Sequence, residues 1–340
     1  MNLQHRIDLL ESLGQYMLSE EPGWLAAREK AGYENGWFIA EFIDLATKNI
    51  PDTFLQKASI ETLAAHYDIP EENNNPLKTG IIMAGNIPLV GFHDFFAVFI
   101  TGNIALIKPS SRDQILIKHL TEKLIEWEPA AAKFIIFAEM LKGCDAYIAT
   151  GSNNSSRYFE YYFAKYPNVI RKNRTSVAIL TGDETREELE SLADDVYRYF
   201  GLGCRNVTKV YVPHNYDFVA LLDAFRKYAH LEDHHKYKNN YDYNLALHLL
   251  NKVYYMTNGT ILLIEDPALF SPISQLNYEF YDTRSSVTKR LEDSSDIQSI
   301  VGKDAVPFGQ AQCPGLMDYA DGVDTVQFLL DISSRKTKKD

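Results

Sequence analysis

Residues 185–212 read TREELESLADDVYRYFGLGCRNVTKVYV, which runs as helix, glycine turn, thiol and strand. Within 187–200, Leu189, Leu192, Ala193, Val196 and Phe200 recur at three- and four-residue spacing and share one helix face. Thr185 followed by Glu188 has the form of a capping box at the helix start. Gly201-Leu202-Gly203 ends the helix, Cys204 follows at once, and 209–212 alternates as a strand closed by Pro213. A thiol on such a turn is rigidly held while the backbone around it stays open to a substrate. A nucleophilic cysteine needs both conditions. A small, buried apolar role is the alternative for Cys204, and the local pattern leaves both open.

Outward from this stretch the chain alternates strands with helices. Residues 80–84, 103–107, 146–150 and 176–180 are short apolar runs, each followed by a polar or glycine-bearing turn. Helices are expected over 90–100 and 114–127. Buried strands separated by helices imply a parallel, doubly wound sheet, whose ligands sit at the C-terminal strand ends. No G-x-G-x-x-G occurs, so the ordinary dinucleotide fingerprint does not contribute. Residues 1–70 read as packed helices, with stripes at Ile7, Leu10, Leu13 and Met17 and at Trp37, Phe38, Phe42, Ile43 and Leu45. Asn35-Gly36 marks a helix–helix turn. Beyond Cys204, a helix is expected over 216–228 and strands over 253–256, 260–264 and 278–281. His230, His234, His235 and His248 lack metal-ligand spacing, and no metal is expected.

The chain has 340 residues, 46% hydrophobic and 24% charged, as in ordinary globular proteins. A net charge of −12 argues against nucleic acid as a partner, though a local anion site remains compatible with it. The one basic run, 335–339, reads as a solvated tail. Cys144, Cys204 and Cys313 make an odd count without framework spacing. With no leader pattern and no bilayer-length apolar run, a cytoplasmic protein is expected.

Four stretches, in order, resemble the aldehyde dehydrogenase superfamily. Asn86-Ile87-Pro88 is similar to its Asn-x-Pro, and Gly102-Asn103 with Lys108-Pro109-Ser110 to its Gly-Asn-x-x-x-x-Lys-Pro-Ser. Thr150-Gly151-Ser152 is similar to its Thr-Gly-Ser, and Gly201-Leu202-Gly203-Cys204 to its Gly-Gln-x-Cys. Within the superfamily the chain most resembles the LuxC-like fatty acyl-CoA reductases, in a shortened form, over about residues 78–330. The resemblance implies an α/β, aldehyde dehydrogenase-like fold: a Rossmann-type cofactor domain and an α/β catalytic domain. Boundaries are expected at 1–183 for the N-terminal helices and cofactor domain, 184–305 for the cysteine domain, and 306–340 for the C-terminal segment.

By the same resemblance, Cys204 forms a thioester with an acyl group, and the Asn86 side chain and the Cys204 backbone N–H stabilise the adduct's oxygen. Lys108, Ser110, Ser111, Arg112, Thr150, Gly151 and Ser152 hold the cofactor. Relatives that prefer NAD often carry Glu after Lys-Pro-Ser. Ser111 and Arg112 stand here instead, and a hydroxyl with a guanidinium suits the 2′-phosphate of NADPH. Hydrolytic relatives carry a glutamate where Arg171 stands, in a run Arg171-Lys172-Asn173-Arg174-Thr175. Losing that base disfavours hydrolysis; the basic cluster either meets coenzyme A phosphates or is a solvated loop. The family's Glu-x-Phe-Gly-Pro is best matched by Ala268-Leu269-Phe270-Ser271-Pro272, without the glutamate, and Glu265 is a candidate substitute. The expected reaction is NADPH-dependent reduction of a fatty acyl thioester to the aldehyde by a homodimer, with a partner protein that exchanges acyl groups as a further possibility. A transferase or acyl-binding subunit, and a semialdehyde-type reductase acting on an acyl phosphate, are the rival readings.

Overall fold

The computed structural model describes residues 1–292 and 294–337. Residues 338 and 339 of the basic run therefore lie outside the described residues. The chain packs as two units, Met1–Asn173 with Pro314–Asp340, and Arg174–Cys313. The sequence reading draws its line at 183; this division by contacts falls after Asn173.

The first unit opens with α1 (Leu3–Met17), α2 (Pro22–Glu34), α3 (Ala40–Phe54) and α4 (Lys57–His66). Ile7, Leu10, Leu13 and Met17 form the buried stripe of α1. Asn35 and Gly36 lie between α2 and α3, at the predicted turn. The chain continues through β1 (Lys78–Ile82), α5 (Phe92–Ile100), β2 (Ile104–Lys108), α6 (Ile115–Trp127), β3 (Ile135–Phe137), β4 (Ala146–Thr150), α7 (Asn153–Phe163) and β5 (Asn168–Arg171). The five strands form one parallel sheet in the order β3-β2-β1-β4-β5. Strand order reverses between β1 and β4, and in such sheets ligands bind at that switch point, beyond the carboxyl ends of the strands.

Helix α5 explains why this sheet is stable. Phe92, Phe95, Phe96 and Phe99 are each at most 1% exposed, because the helix has neighbours on several sides: α1, the strands β1 and β2, and the C-terminal helix. Burying each ring contributes about 2 kcal/mol. The helix C-terminus is held by Arg6, wholly buried, whose Nε donates to the Ile100 carbonyl at 3.0 Å.

The second unit contains β6 (Thr175–Ile179), α8 (Arg186–Tyr197), β7 (Val207–Pro213), α9 (Phe218–Ala224), α10 (His235–Leu250), β8 (Met256–Thr257), β9 (Leu262–Glu265), β10 (Gln275–Tyr281), α11 (Arg284–Glu292) and β11 (Ile297–Val301). Its sheet order is β11-β6-β7-β10-β9-β8, parallel except for the β8–β9 pair. Helix α12 (Thr325–Thr337) then returns to the first unit, where Val326 and Leu329 are buried and the helix packs on α5.

The parallel α/β architecture agrees with the sequence expectation, with one reassignment. The strand expected over 176–180 is β6, which pairs with β7 and β11 in the second sheet and not with the first three strands. The first sheet is completed by β3 and β5, which the sequence pattern does not mark. Both are short, and β5 is flanked by polar Asn168 and Arg171 at its ends, so neither shows clear alternation.

Candidate active site

The turn that carries Cys204 is built by an abrupt helix exit. Both halves of the capping box at Thr185 and Glu188 are present, so α8 starts where the sequence says. It ends at Tyr197, earlier than the apolar face suggests. Tyr199, Phe200 and Gly201 follow with φ of 54°, 56° and 74°. Left-handed backbone costs a non-glycine residue about 1–2 kcal/mol. Burial offsets this: Phe200 is 1% exposed and stacks on His234 at 4.6 Å between ring centroids. Phe200 is thus a core residue of the turn and not part of the helix face.

Cys204 is half-buried just before β7, and all three cysteines are thiols. Its carbonyl accepts from Ser176 Oγ at 3.2 Å, and that hydroxyl also bonds Ser299 Oγ at 2.7 Å. Asn206, fully buried, accepts the Gly203 N–H and donates back to carbonyls at the end of α8. Asp195, also fully buried on α8, accepts from the Gly309 N–H at 2.6 Å and the Ala311 N–H at 3.0 Å. Burial pushes its carboxyl up to about 7. Neither Asn206 nor Asp195 carries a sequence signal; each is recognisable only from its partners.

The loop carrying Ala268, Phe270 and Pro272 is fastened to the same sheet. Lys209 Nζ, buried beneath it, donates to the Pro267 carbonyl at 2.7 Å and to Glu279 at 2.6 Å. Thr208 Oγ1 donates to the Leu269 carbonyl, and Asn277 Nδ2 to those of Ala268 and Phe270. Glu265 is exposed at the end of β9.

In the first unit the predicted residues gather at three adjacent strand ends. Asn86 is half-buried in the loop after β1; Lys108 ends β2, exposed, with Ser111 and Arg112 exposed beyond it; Thr150, Gly151 and Ser152 follow on β4. A Cβ on Gly85 would lie 2.5 Å from Ser110 Oγ, so glycine lets the Asn86 loop and the Ser110 loop touch. Asp113 ties them: its Oδ2 accepts the N–H of Leu89, a left-handed residue at φ 57°, at 2.7 Å. Burial pushes the Asp113 carboxyl up to about 7, against the pull of that bond. Ser110 Oγ accepts the Arg112 N–H at 3.2 Å, and Asn35 Nδ2 donates to the Arg112 carbonyl at 3.1 Å. The N-terminal helices thus buttress this loop, a role their apolar stripes did not suggest. Ser152 caps α7, accepting from the Ser155 N–H, and Gly151 is required because a Cβ would meet Ser155 and Phe159.

Arg171 is neither a phosphate ligand in waiting nor part of a solvated loop. It is 4% exposed and donates to Asp94 Oδ1 and Thr325 Oγ1, both at 2.8 Å, and to the Ala320 carbonyl at 2.5 Å. Lys172 pairs with Glu160 at the surface, and Arg174 reaches the Ile297 carbonyl. The predicted basic cluster is therefore dispersed into separate contacts. Among the described residues no group of three or more His, Cys, Asp or Glu could hold a metal ion, and no helix is long and apolar enough to cross a membrane.

Residues 75–224 match the family model of acyl-CoA reductase (LuxC), a span just under half of the chain that includes Asn86, Lys108 and Cys204. Aldehyde dehydrogenase 21 from Physcomitrella patens, solved with its reaction product succinate, superposes with a TM-score of 0.68 at 13% identity, over 98% of this chain and 85% of its own. Over residues 75–224 the chain is similar to LuxC acyl-CoA reductases, and its fold is that of the aldehyde dehydrogenases. The Mycobacterium tuberculosis aldehyde dehydrogenase complexed with NAD+ aligns with this chain at a TM-score of 0.64 and 14% identity, over 87% and 72% of the two chains. An NADP-dependent enzyme of E. coli aligns at 0.61 and 12%, over 88% and 73%. No curated protein matches the sequence. Family match and fold support an oxidoreductase acting on aldehydes.

Proposed function

We propose that this LuxC-like chain reduces fatty acyl-CoA to the aldehyde through a thioester on Cys204, with NADPH as reductant. The observation that carries the reading is the acyl-CoA reductase match across 75–224, which includes the half-buried thiol and its clamped turn. Cofactor binding falls to the first unit and acyl transfer to the second. The Cys204 thiolate attacks the acyl carbonyl and expels the thiol of coenzyme A, a nearly balanced exchange. The Cys204 N–H is a donor for the adduct's oxygen, and the family resemblance gives the Asn86 carboxamide the same role. Return of the electron pair from the reduced adduct's oxygen expels the Cys204 thiolate and releases the aldehyde.

The chemistry of the donor set fits a phosphorylated dinucleotide. Lys108 and Arg112 are exposed cations, Ser110 and Ser111 are hydroxyls, and all lie at or beyond the end of one strand. Ser152 at the start of α7 suits the pyrophosphate. When bound, the cofactor supplies a hydride. Arg171 supports reduction over hydrolysis: where hydrolytic relatives carry a base, this chain has a guanidinium committed to Asp94, Thr325 and Ala320.

The test is NADPH consumption with a series of acyl-CoAs on wild type and Cys204→Ala. Turnover that vanishes in the variant supports the acyl-enzyme reductase and gives the preferred chain length. An acyl label retained on wild-type Cys204 without NADPH consumption would make the protein a transferase instead.

A further inference from the structure

We infer that Asn206 is a positioning residue for the Cys204 thiol, locking the peptide that leads into it through a side-chain clamp on the end of α8. Its catalytic consequence rests on the acyl-enzyme reading above; the clamp itself does not.

A helix leaves its last carbonyls without intrahelical partners, and an exit through three left-handed residues removes the usual ways of satisfying them. Asn206 takes over. Its Nδ2 donates to the carbonyls of Arg198 at 2.8 Å, Asp195 at 3.0 Å and Val196 at 3.3 Å. Its Oδ1 accepts the buried Gly203 N–H at 2.8 Å. Its own N–H donates to the Gly203 carbonyl at 3.1 Å, and its own carbonyl accepts the Ser176 N–H at 3.0 Å, which fastens it to β6. The side chain is fully buried.

Only a carboxamide satisfies this pattern. It carries one acceptor and two donors in one plane, so the orientation of the amide is dictated by its partners. An aspartate of the same shape would turn a second oxygen towards three carbonyls; an alanine would leave those carbonyls and the Gly203 N–H without it. With Gly203 held at both its N–H and its carbonyl, and the Cys204 carbonyl held by Ser176 Oγ, backbone is fixed on either side of the thiol-bearing Cα. Misplacing a nucleophile by about 1 Å can cost on the order of 100-fold in rate.

Three readouts test this on the full chain: hydrogen exchange of the peptide spanning 199–206, kcat and KM with acyl-CoA, and the melting temperature. For Asn206→Ala the expectation is exchange at that peptide at least tenfold faster and kcat lower by about 30-fold, with KM within threefold. Asn206→Asp should be no better than alanine. A fall in melting temperature with kcat and exchange unchanged would reduce Asn206 to a structural residue and overturn the proposal. Should the variants not fold, two measurements still decide. In the wild type, a Gly203 amide exchanging as fast as an exposed one defeats the clamp, and strong protection supports it. In Ser176→Ala, kcat lower by about fivefold at unchanged KM supports positioning through the flanking backbone, and an unchanged kcat opposes it. If the wild type reduces no acyl-CoA, the functional reading fails and exchange alone judges the clamp.

Discussion

The loop after β1 and the turn after α8 perform the same structural task with different chemistry. Each contains left-handed non-glycine residues, Leu89 in one and Tyr199 with Phe200 in the other. Each is pinned where a backbone N–H meets a buried side-chain oxygen: Leu89 to Asp113 at 2.7 Å, Gly203 to Asn206 at 2.8 Å. The pin of the first is a carboxyl, drawn from 24 residues away and pushed by burial to about 7. The pin of the second is a carboxamide three residues along that does not titrate. The pin of the Cys204 turn thus carries no titrating group, while the loop bearing Asn86 rests on one that changes charge near neutrality.

Four experiments sharpen or break this contrast, taken from the largest effect down. Cys204→Ala should abolish acyl-CoA-dependent NADPH oxidation, a loss beyond about 1000-fold, whereas Asn86→Ala should lower kcat by about 100- to 1000-fold. Equal residual activity in both variants would argue against separate nucleophile and oxyanion roles.

Next comes stability. Arg171→Ala strands the Asp94 carboxylate, 5% exposed, and should destabilise the first unit by about 3–5 kcal/mol, a melting shift of roughly 10 °C. Calorimetry checks it, and a shift confined to the second unit's transition would contradict the assignment of Arg171.

The pH dependence is smaller. Asp113 titrates near 3.8 when unfolded and at about 7 when folded. Its neutral form is the one the fold prefers, so this contribution is complete below about 4 and is lost as pH rises through 7. The melting temperature should therefore be a few degrees lower at pH 8 than at pH 6. Asp113→Asn should flatten that fall. Asp195, also at about 7, adds a second, separable portion that Asp195→Asn removes. A wild type that melts higher at pH 8 would reverse the sign and refute the burial argument for both carboxyls.

The smallest effect concerns the cofactor. Ser111→Glu should turn preference towards NADH by about tenfold, read as the ratio of kcat/KM for the two nucleotides, since a carboxylate repels a 2′-phosphate by about 1–2 kcal/mol. A wild type that already prefers NADH would overturn the reading of Ser111 and Arg112.

By itself the sequence determined what depends on near neighbours. The capping box at Thr185, the thiol before a strand, and the order of strand-end motifs are set by local propensity and spacing, and all are visible in consecutive residues. The parallel α/β class follows from the same alternation. Tertiary structure alone decided the rest. The apolar pattern carries the helix through Phe200, but packing against His234 and Tyr237 pulls that ring into the left-handed turn. Arg171 looks like part of a basic cluster until Asp94, 77 residues away, pairs with its charge and Thr325, 154 away, accepts a further hydrogen bond from it. Helix α12 joins the first unit although it follows the second in the chain, because its apolar side finds α5 there. Asp113 and Asn206 are ordinary polar residues in the sequence; only the backbone N–H groups brought to them by folding make them pins. Charges and hydrogen-bond donors acquire their roles from partners, and partners distant in sequence are supplied only by the fold.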